Sequence, residues 1–404
     1  MNPLNPVRST GHRSGAQPRH LGVLLAFVLA VAAVPFAAVV QAQTLPPGTS
    51  SEVRVERLSG TDRFGTARVI AADAFGTSDR VVVASGTQFP DALAGSFLAG
   101  AFDAPVLLVT RDTLPAETTA ALDDLEATEI VLVGGPNAIS SQVEASLARD
   151  GRTIVDRFSG ATRFETAAAI ATSGENVGTF DGDRTAIVAT GQQFADALVA
   201  GSIAFSEQFP VLLTPTASLH PAAESALREL DIERVIVPGG PAAVSDATVN
   251  QIRALGGIEV TRVRGDSRFA TSVAFAAFAN ANFGYSYEDI NVATGFDFAD
   301  ALAMGPRAGA NANPLILTNG TQPTAVPVVT DFLRTNGCQV RSLTIAGGTS
   351  AVSQANADSL RDAAQDCQGD PTNGEEPTGG EEPTGGEDPL PIPLPIPIPI
   401  PPSS

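Results

Sequence analysis

Residues 131–140, VLVGGPNAIS, return as VIVPGGPAAVS at 235–245 and as LTIAGGTSAVS at 343–353. In each copy an apolar run rich in β-branched residues ends in a Gly-Gly pair, and a Ser follows a few residues later. The run reads as a buried strand, the glycines as a tight turn, and the Ser as the cap of a helix. Working outward, three further motifs recur in the same order. SGTDRF at 59–64 returns as SGATRF at 159–164 and RGDSRF at 264–269. SGTQFPDALAGS at 85–96 returns as TGQQFADALVAGS at 190–202 and TGFDFADALAMGP at 294–306. APVLLVT at 104–110 returns as FPVLLTP at 209–215 and NPLILTN at 313–319. Asp91, Asp196 and Asp300 of the second motif are 105 and 104 residues apart, and each stands 14 residues before the Pro of the third. This constancy divides the chain into three modules of ordinary domain size, 53–153, 154–258 and 259–368.

Within a module, apolar runs of four to six residues alternate with segments of helical periodicity. In the first copy Phe64, Ala67, Ile70, Ala71 and Ala74 recur at helical spacing. VVVASG at 81–86 reads as a strand, and Asp91 reads as the start of a helix through ALAGSFLAG. PVLLV, PAETTAALDDL and EIVLVGG read as strand, helix and strand; Ser140 or Ser141 caps the last helix, where Ser141 and Glu144 fit a capping box. Continuous Val/Ile/Leu strands alternating with helices predict a parallel sheet covered on both faces. The expected fold is therefore α/β, with three similar three-layer modules.

The SG-xx-RF opening, the F-x-DAL segment and the strand–GG–xxAVS close, in triplicate, resemble the cell-wall-binding repeat type 2 family of exported Gram-positive proteins. The resemblance covers residues 53–368. It implies that the three modules form one triangular, pseudo-threefold unit. It also implies noncovalent attachment to anionic polymers of the cell wall, teichoic-acid-like or another wall polysaccharide.

Composition narrows the function independently. The chain has 404 residues, 24 basic and 44 acidic side chains, and a formal net charge of −20; every basic residue is Arg. That balance argues against nonspecific nucleic-acid binding and against docking on anionic lipid. Trp is absent and Tyr occurs twice, which leaves little for stacking bases or sugar rings. Three histidines, His12, His20 and His220, and two cysteines cannot place a nucleophile–base relay or a zinc site in every module. Neither GxGxxG nor GxxxxGK[ST] occurs. No cofactor or metal is expected, and His220, ahead of Pro221, is expected in solvent. A binder is favoured over a carbohydrate- or phosphate-processing enzyme, and a structural surface protein is the third reading.

The two ends differ from the modules. Arg8, Arg13 and Arg19 precede the apolar run LGVLLAFVLAVAAV at 21–34, and Val40-Gln41-Ala42 closes a small-residue stretch. This is the pattern of a secretory signal cleaved after Ala42, and the run is short for a membrane span. Residues 370–388 contain EEPTGG twice, and 389–402 read PLPIPLPIPIPIPP. The segment 369–404 reads as an acidic Gly/Pro linker and a polyproline II tail, a spacer or a protein ligand. An exported chain with an even cysteine count predicts a Cys338–Cys367 disulfide.

Three sets of recurring polar residues are the candidate binding residues, each with a structural alternative. Arg63, Arg163 and Arg268 either hold phosphate or carboxylate groups bidentately or pair with an acid of a neighbouring module. Asp91, Asp196 and Asp300 either contact ligand or cap a helix. Gly134-Gly135, Gly239-Gly240 and Gly347-Gly348 either present amides to an anion or make a turn.

Overall fold

A computed structural model of the protein describes residues 52–366. The N-terminal segment read as a secretory signal, the segment 369–404 and Cys367 lie outside the described residues.

Three parallel sheets repeat along the chain. In the first, Arg80–Ser85 lies between Val106–Val109 and Glu129–Val133. In the second, Asp183–Thr190 lies between Val211–Thr214 and Arg234–Pro238, with the two-residue strand Thr179–Phe180 turned back antiparallel on it. In the third, Asp289–Thr294 lies between Leu315–Thr318 and Ser342–Ala346. The α/β class and its parallel sheets are as the apolar runs predict. Side chains of one strand serve two cores: Val82 and Ala84 enter a central core shared by all three modules, while Val81 and Val83 enter an outer one. Ile187 and Ala189 against Ala186 and Val188 repeat the division in the second sheet.

Each sheet has one further parallel strand, and it comes from the next module along. Thr153–Phe158 pairs in parallel with Glu129–Val133 of the first sheet, and Glu259–Val263 with Arg234–Pro238 of the second. Arg54–Leu58, at the start of the first module, pairs with Ser342–Ala346 at the end of the third. The exchange closes a ring, and the opening strand of every sequence repeat belongs to the sheet of its neighbour.

On the pseudo-threefold axis the motif phenylalanines Phe89, Phe194 and Phe298 meet, with centroids 5.5, 5.9 and 6.2 Å apart. Below them Gly95–Phe102, Gly201–Ser206 and Ala299–Ala310 pack tightly because small residues face one another. A Cβ at Gly100 would stand 2.1 Å from the Phe205 carbonyl oxygen, so no other residue permits this approach. Arg307 spans the seam between third and first modules. Its Nε donates to Asp73 at 2.7 Å, and its Nη1 to Asp289 at 3.1 Å and to Asn291.

Two local expectations change. Of the two candidate caps, Ser140 caps the helix Ser141–Leu147, accepting from the Val143 amide, so the Ser141–Glu144 capping box gives way and Glu144 pairs with Arg157 at 3.0 Å. A capping box does form one module on, between Thr162 and Glu165. His220 is not in solvent: its Nδ1 accepts from the Ala222 amide, and its ring stacks on Phe164 at 4.5 Å.

Candidate functional site

The helix that each repeat opens after SG-xx is positioned by local chemistry. Asp62, Thr162 and Ser267 cap Arg63–Phe75, Arg163–Ala171 and Arg268–Phe283. Thr66, Thr166 and Thr271, one turn inside, accept from the amides of Gly60, Gly160 and Gly265 at 3.2, 3.0 and 3.2 Å. The loop is thus folded back on the helix, and the first helical residue, the motif Arg, is aimed at the preceding module.

Each Arg has two anchors. Arg63, Arg163 and Arg268 donate from Nη1 to the carbonyls of Gly86, Gly191 and Gly295 in their own module. Each guanidinium also lies 5.8 Å from the axial phenylalanine of the module before it: Phe298, Phe89 and Phe194 respectively. The motif Asp of that preceding module faces the same Arg, so that Arg163 acts on Asp91, Arg268 on Asp196 and Arg63 on Asp300.

The aspartates do not cap helices. The helix around Asp91 starts at Phe89 after Gln88, and those around Asp196 and Asp300 start after Phe194 and Phe298; none of the three caps bonds through its side chain. Each carboxyl turns inward against the first glycine of the Gly-Gly pair. Gly134, Gly239 and Gly347 have φ of 110°, 88° and 89°. A Cβ there would come within 3.0, 2.2 and 2.1 Å of Oδ2 of Asp91, Asp196 and Asp300. Burial raises all three carboxyls above the usual range. The Thr166 hydroxyl and Arg163 oppose the rise at Asp91, and Thr271 and Arg268 oppose it at Asp196. Asp300 is pushed up to about 6, by burial and then by Asp297, with Arg63 opposing.

The glycine amides are partly committed. Gly134, Gly239 and Gly347 donate to the carbonyls of Phe158, Val263 and Leu58 in the exchanged strand, each at 2.9 Å. The following helix begins several residues later and is capped by Ser140, Ser245 or Ser353. Gly135, Gly240 and Gly348 are the members of each pair that line open space.

These parts form three clefts, one at each module junction. The first, about 270 Å³, joins Asp91 and Gly135–Ala138 to Gly160–Arg163. The second, about 360 Å³, joins Asp196 and Gly240–Ala243 to Arg264–Arg268. The third, about 320 Å³, joins Asp300 and Gly348–Ala351 to Gly60–Arg63. The predicted Arg, Asp and Gly-Gly residues therefore do converge, but each cleft is built from two modules. A further recurring set stands behind them. Arg57, Arg157 and Arg262 donate from Nη1 to the carbonyls of Gly347, Gly134 and Gly239 at 2.8, 2.7 and 2.9 Å. Sequence reasoning passed over these residues, although each stands six positions before the motif Arg in every copy.

Among the described residues no group of three or more His, Cys, Asp and Glu could hold a metal. Among the same described residues, no helix is long and apolar enough to cross a membrane.

The family model described as Cell wall binding domain 2 matches residues 57–144, 157–249 and 262–357. The N-acetylmuramoyl-L-alanine amidase LytC of Bacillus subtilis is 28% identical over 274 residues, 68% of this chain and 52% of that protein. The amidase enhancer of the same organism is 27% identical over 309 residues, 76% of this chain and 40% of that protein. The chain thus spans about half or less of the length of these relatives. The structure of Cwp8 from Clostridium difficile is similar with a TM-score of 0.65 and 25% identity, covering 78% of this chain and 52% of that one. Cwp6 from the same organism, at a TM-score of 0.69 and 21% identity, covers 81% and 50%.

Proposed function

The chain belongs to the Cell wall binding domain 2 family, and we propose that it is an exported protein that holds itself on the Gram-positive wall noncovalently and without catalysis. Its ligand is an anionic wall polymer, teichoic-acid-like or another wall polysaccharide, and its three junction clefts engage successive units of that polymer. The observation that supports this reading is the recurrence, at every junction, of one guanidinium, one inward carboxyl and one Gly-Gly turn around an open cleft. Arg163 and Arg268 are held by carbonyls and rings rather than by carboxylates, which leaves their charge available to a phosphate or carboxylate. The overall charge of −20 does not prevent this, because salt screens charges beyond about 8 Å.

Each cleft is shallow, so single-site affinity is weak. Three sites on one rigid body facing a repetitive polymer raise avidity by roughly 10²–10⁴ without any new contact. A binder gains from triplication in this way, whereas a catalyst needs one good site. The 370–388 linker and polyproline tail then act as spacer or partner ligand beyond the wall-bound unit.

Pelleting with purified Gram-positive walls tests the reading. The Arg163→Ala/Arg268→Ala variant, shown folded by circular dichroism, should be released at lower salt than the parent, and Arg→Lys at both positions should restore only part of the retention. A folded double variant that pellets like the parent would falsify this account of the clefts.

A further inference from the structure

The three clefts share a frame but differ in what they present. The first cleft offers one guanidinium, Arg163, and one carboxyl, Asp91. The second offers Arg264 and Arg268 with Asp196 and Asp266. The third sets Arg63 alone against Asp62, Asp297 and Asp300, three carboxyls to one guanidinium. Moreover, Arg63 is already engaged, with Nη2 3.2 Å from Oδ2 of Asp297. The position of Asp297 in the motif is held by Gln88 and Gln193 in the other two repeats. The Asp297 carboxylate is fixed in place, since its Oδ1 accepts from the amides of Phe298 at 2.7 Å and Ala299 at 3.3 Å. An anion entering this cleft meets net negative charge and a neutralised Arg.

The same cleft carries a feature the others lack. Phe296 is 61% exposed, the most exposed of the large apolar side chains among the described residues, where the other repeats have Thr87 and Gln192. Its ring meets Phe269 in a T-shaped contact at 5.8 Å, and the Arg268 guanidinium lies over one of its faces at 5.9 Å, which leaves the other face to the cleft. Counting Trp and Tyr missed this stacking surface, because it is a phenylalanine. An oriented aromatic face beside carboxylate acceptors and the hydroxyls of Thr61, Thr321 and Ser350 is complementary to a pyranose, whose apolar C–H face is rimmed by donor hydroxyls.

We propose that the third cleft is a neutral-sugar subsite: Phe296 lies under the apolar face of an uncharged pyranose, and Asp297 and Asp300 accept from its hydroxyls. The other two clefts keep the anionic groups of the same polymer. This rests on the clefts being the wall-facing sites. Asp297 is the specificity-determining residue, for it turns an anion cleft into a sugar cleft.

Saturation-transfer NMR on the full chain tests this with the methyl glycosides of glucose, galactose and N-acetylglucosamine as neutral probes. Retention on immobilised polyglycerol phosphate, a defined polyanion, is measured in parallel. At least one glycoside should receive saturation on its ring protons from the parent. Phe296→Thr should lower that saturation roughly threefold, in line with the worth of an aromatic contact. Asp297→Gln should lower it too, and should raise retention on polyglycerol phosphate by roughly two- to fivefold, the scale of releasing one exposed ion pair. Asp297→Asn, which keeps an oxygen for the two amides, should reproduce the gain; a gain of binding cannot come from a weakened fold. No saturation of any glycoside in the parent, or equal saturation in both variants, overturns the inference. The Arg163→Ala/Arg268→Ala variant separates the two claims. If it loses polyglycerol phosphate while Phe296→Thr changes nothing, only the sugar subsite fails; if it loses nothing, the reading of the clefts fails and the subsite with it.

Discussion

Arg57 donates from Nη1 to the carbonyl of Gly347 at 2.8 Å, across 290 residues of chain. The bond completes a strand pairing in which Arg54 lies opposite Ser342 and Leu58 opposite Ala346. The opening strand of the first module therefore finishes the sheet of the third, and the modules form a closed ring rather than a row. Val53, just before this strand, and Leu58, at its end, are buried, and each such side chain contributes about 1.5–3 kcal/mol.

Removing residues 52–58 should accordingly destabilise the third module, at the far end of the sequence, and through the shared central core the other two. Thermal unfolding of the parent should be one transition, and the truncated chain should melt lower, still in one step. Leu58→Ala alone should cost about 2–5 kcal/mol in denaturant titrations. Independent melting of separate modules would contradict the ring.

Much of this architecture is legible in the sequence, and the part that is not has a physical reason. Apolar runs such as VVVA at 81–84 show that a strand is buried on both faces, because each face must find a core. A strand such as Arg54–Leu58 does not carry the identity of its partner in its own residues, since backbone pairing is the same for any neighbour. The helix start at Asp91 was misread for a related reason. A carboxyl before Ala-Leu satisfies the rule for a cap, yet Phe89 is drawn to the axis and starts the helix earlier, which turns Asp91 inward. Arg57, Arg157 and Arg262 were within reach of the repeat itself: RLSG, RFSG and RVRG align in all three copies.

Arg307 is the charged tie at the seam that closes the ring. It is buried between Asp73 of the first module and Asp289 of the third. Taking away one partner of a buried pair strands the other, at about 3–5 kcal/mol. Arg307→Ala should show a loss of this size by chemical denaturation. Arg228→Ala, which breaks the exposed pair with Glu224, should lie within about 0.5 kcal/mol of the parent. Equal effects of the two substitutions would remove Arg307 from its role.

The Cys338–Cys367 bridge remains a proposal, with Cys367 outside the described residues. A bridge closing this loop stabilises by roughly 3 kcal/mol in the chain-entropy model. The unreduced, denatured protein should titrate with no free thiol, and reduction should lower the melting temperature of the folded unit. Two free thiols before reduction would reject the bridge.

Asp300 makes the third cleft responsive to pH. Burial and the adjacent Asp297 push its carboxyl up to about 6 against the pull of Arg63, while an unfolded Asp titrates near 3.9. The folded state therefore binds this proton more tightly than the unfolded state. The penalty of the charged carboxylate is fully present above the folded pKa. It is relieved as pH falls through about 6 toward 4, so acidification from pH 7.5 to 5 stabilises the fold through this group. Asp300→Asn, which imitates the neutral form, removes the dependence. The melting temperature of the parent relative to Asp300→Asn should rise steadily over that interval, and the carboxyl carbon of Asp300 should titrate by NMR with a midpoint near 6. Asp62, Asp297 and Arg63 line the same cleft. The third cleft should thus become less repulsive to anions on acidification, and retention on polyglycerol phosphate should increase in the parent more than in Asp300→Asn. A melting difference that stays constant from pH 7.5 to 5 would show that Asp300 titrates as an ordinary exposed carboxylate, and the pH response of the cleft would have to come from elsewhere.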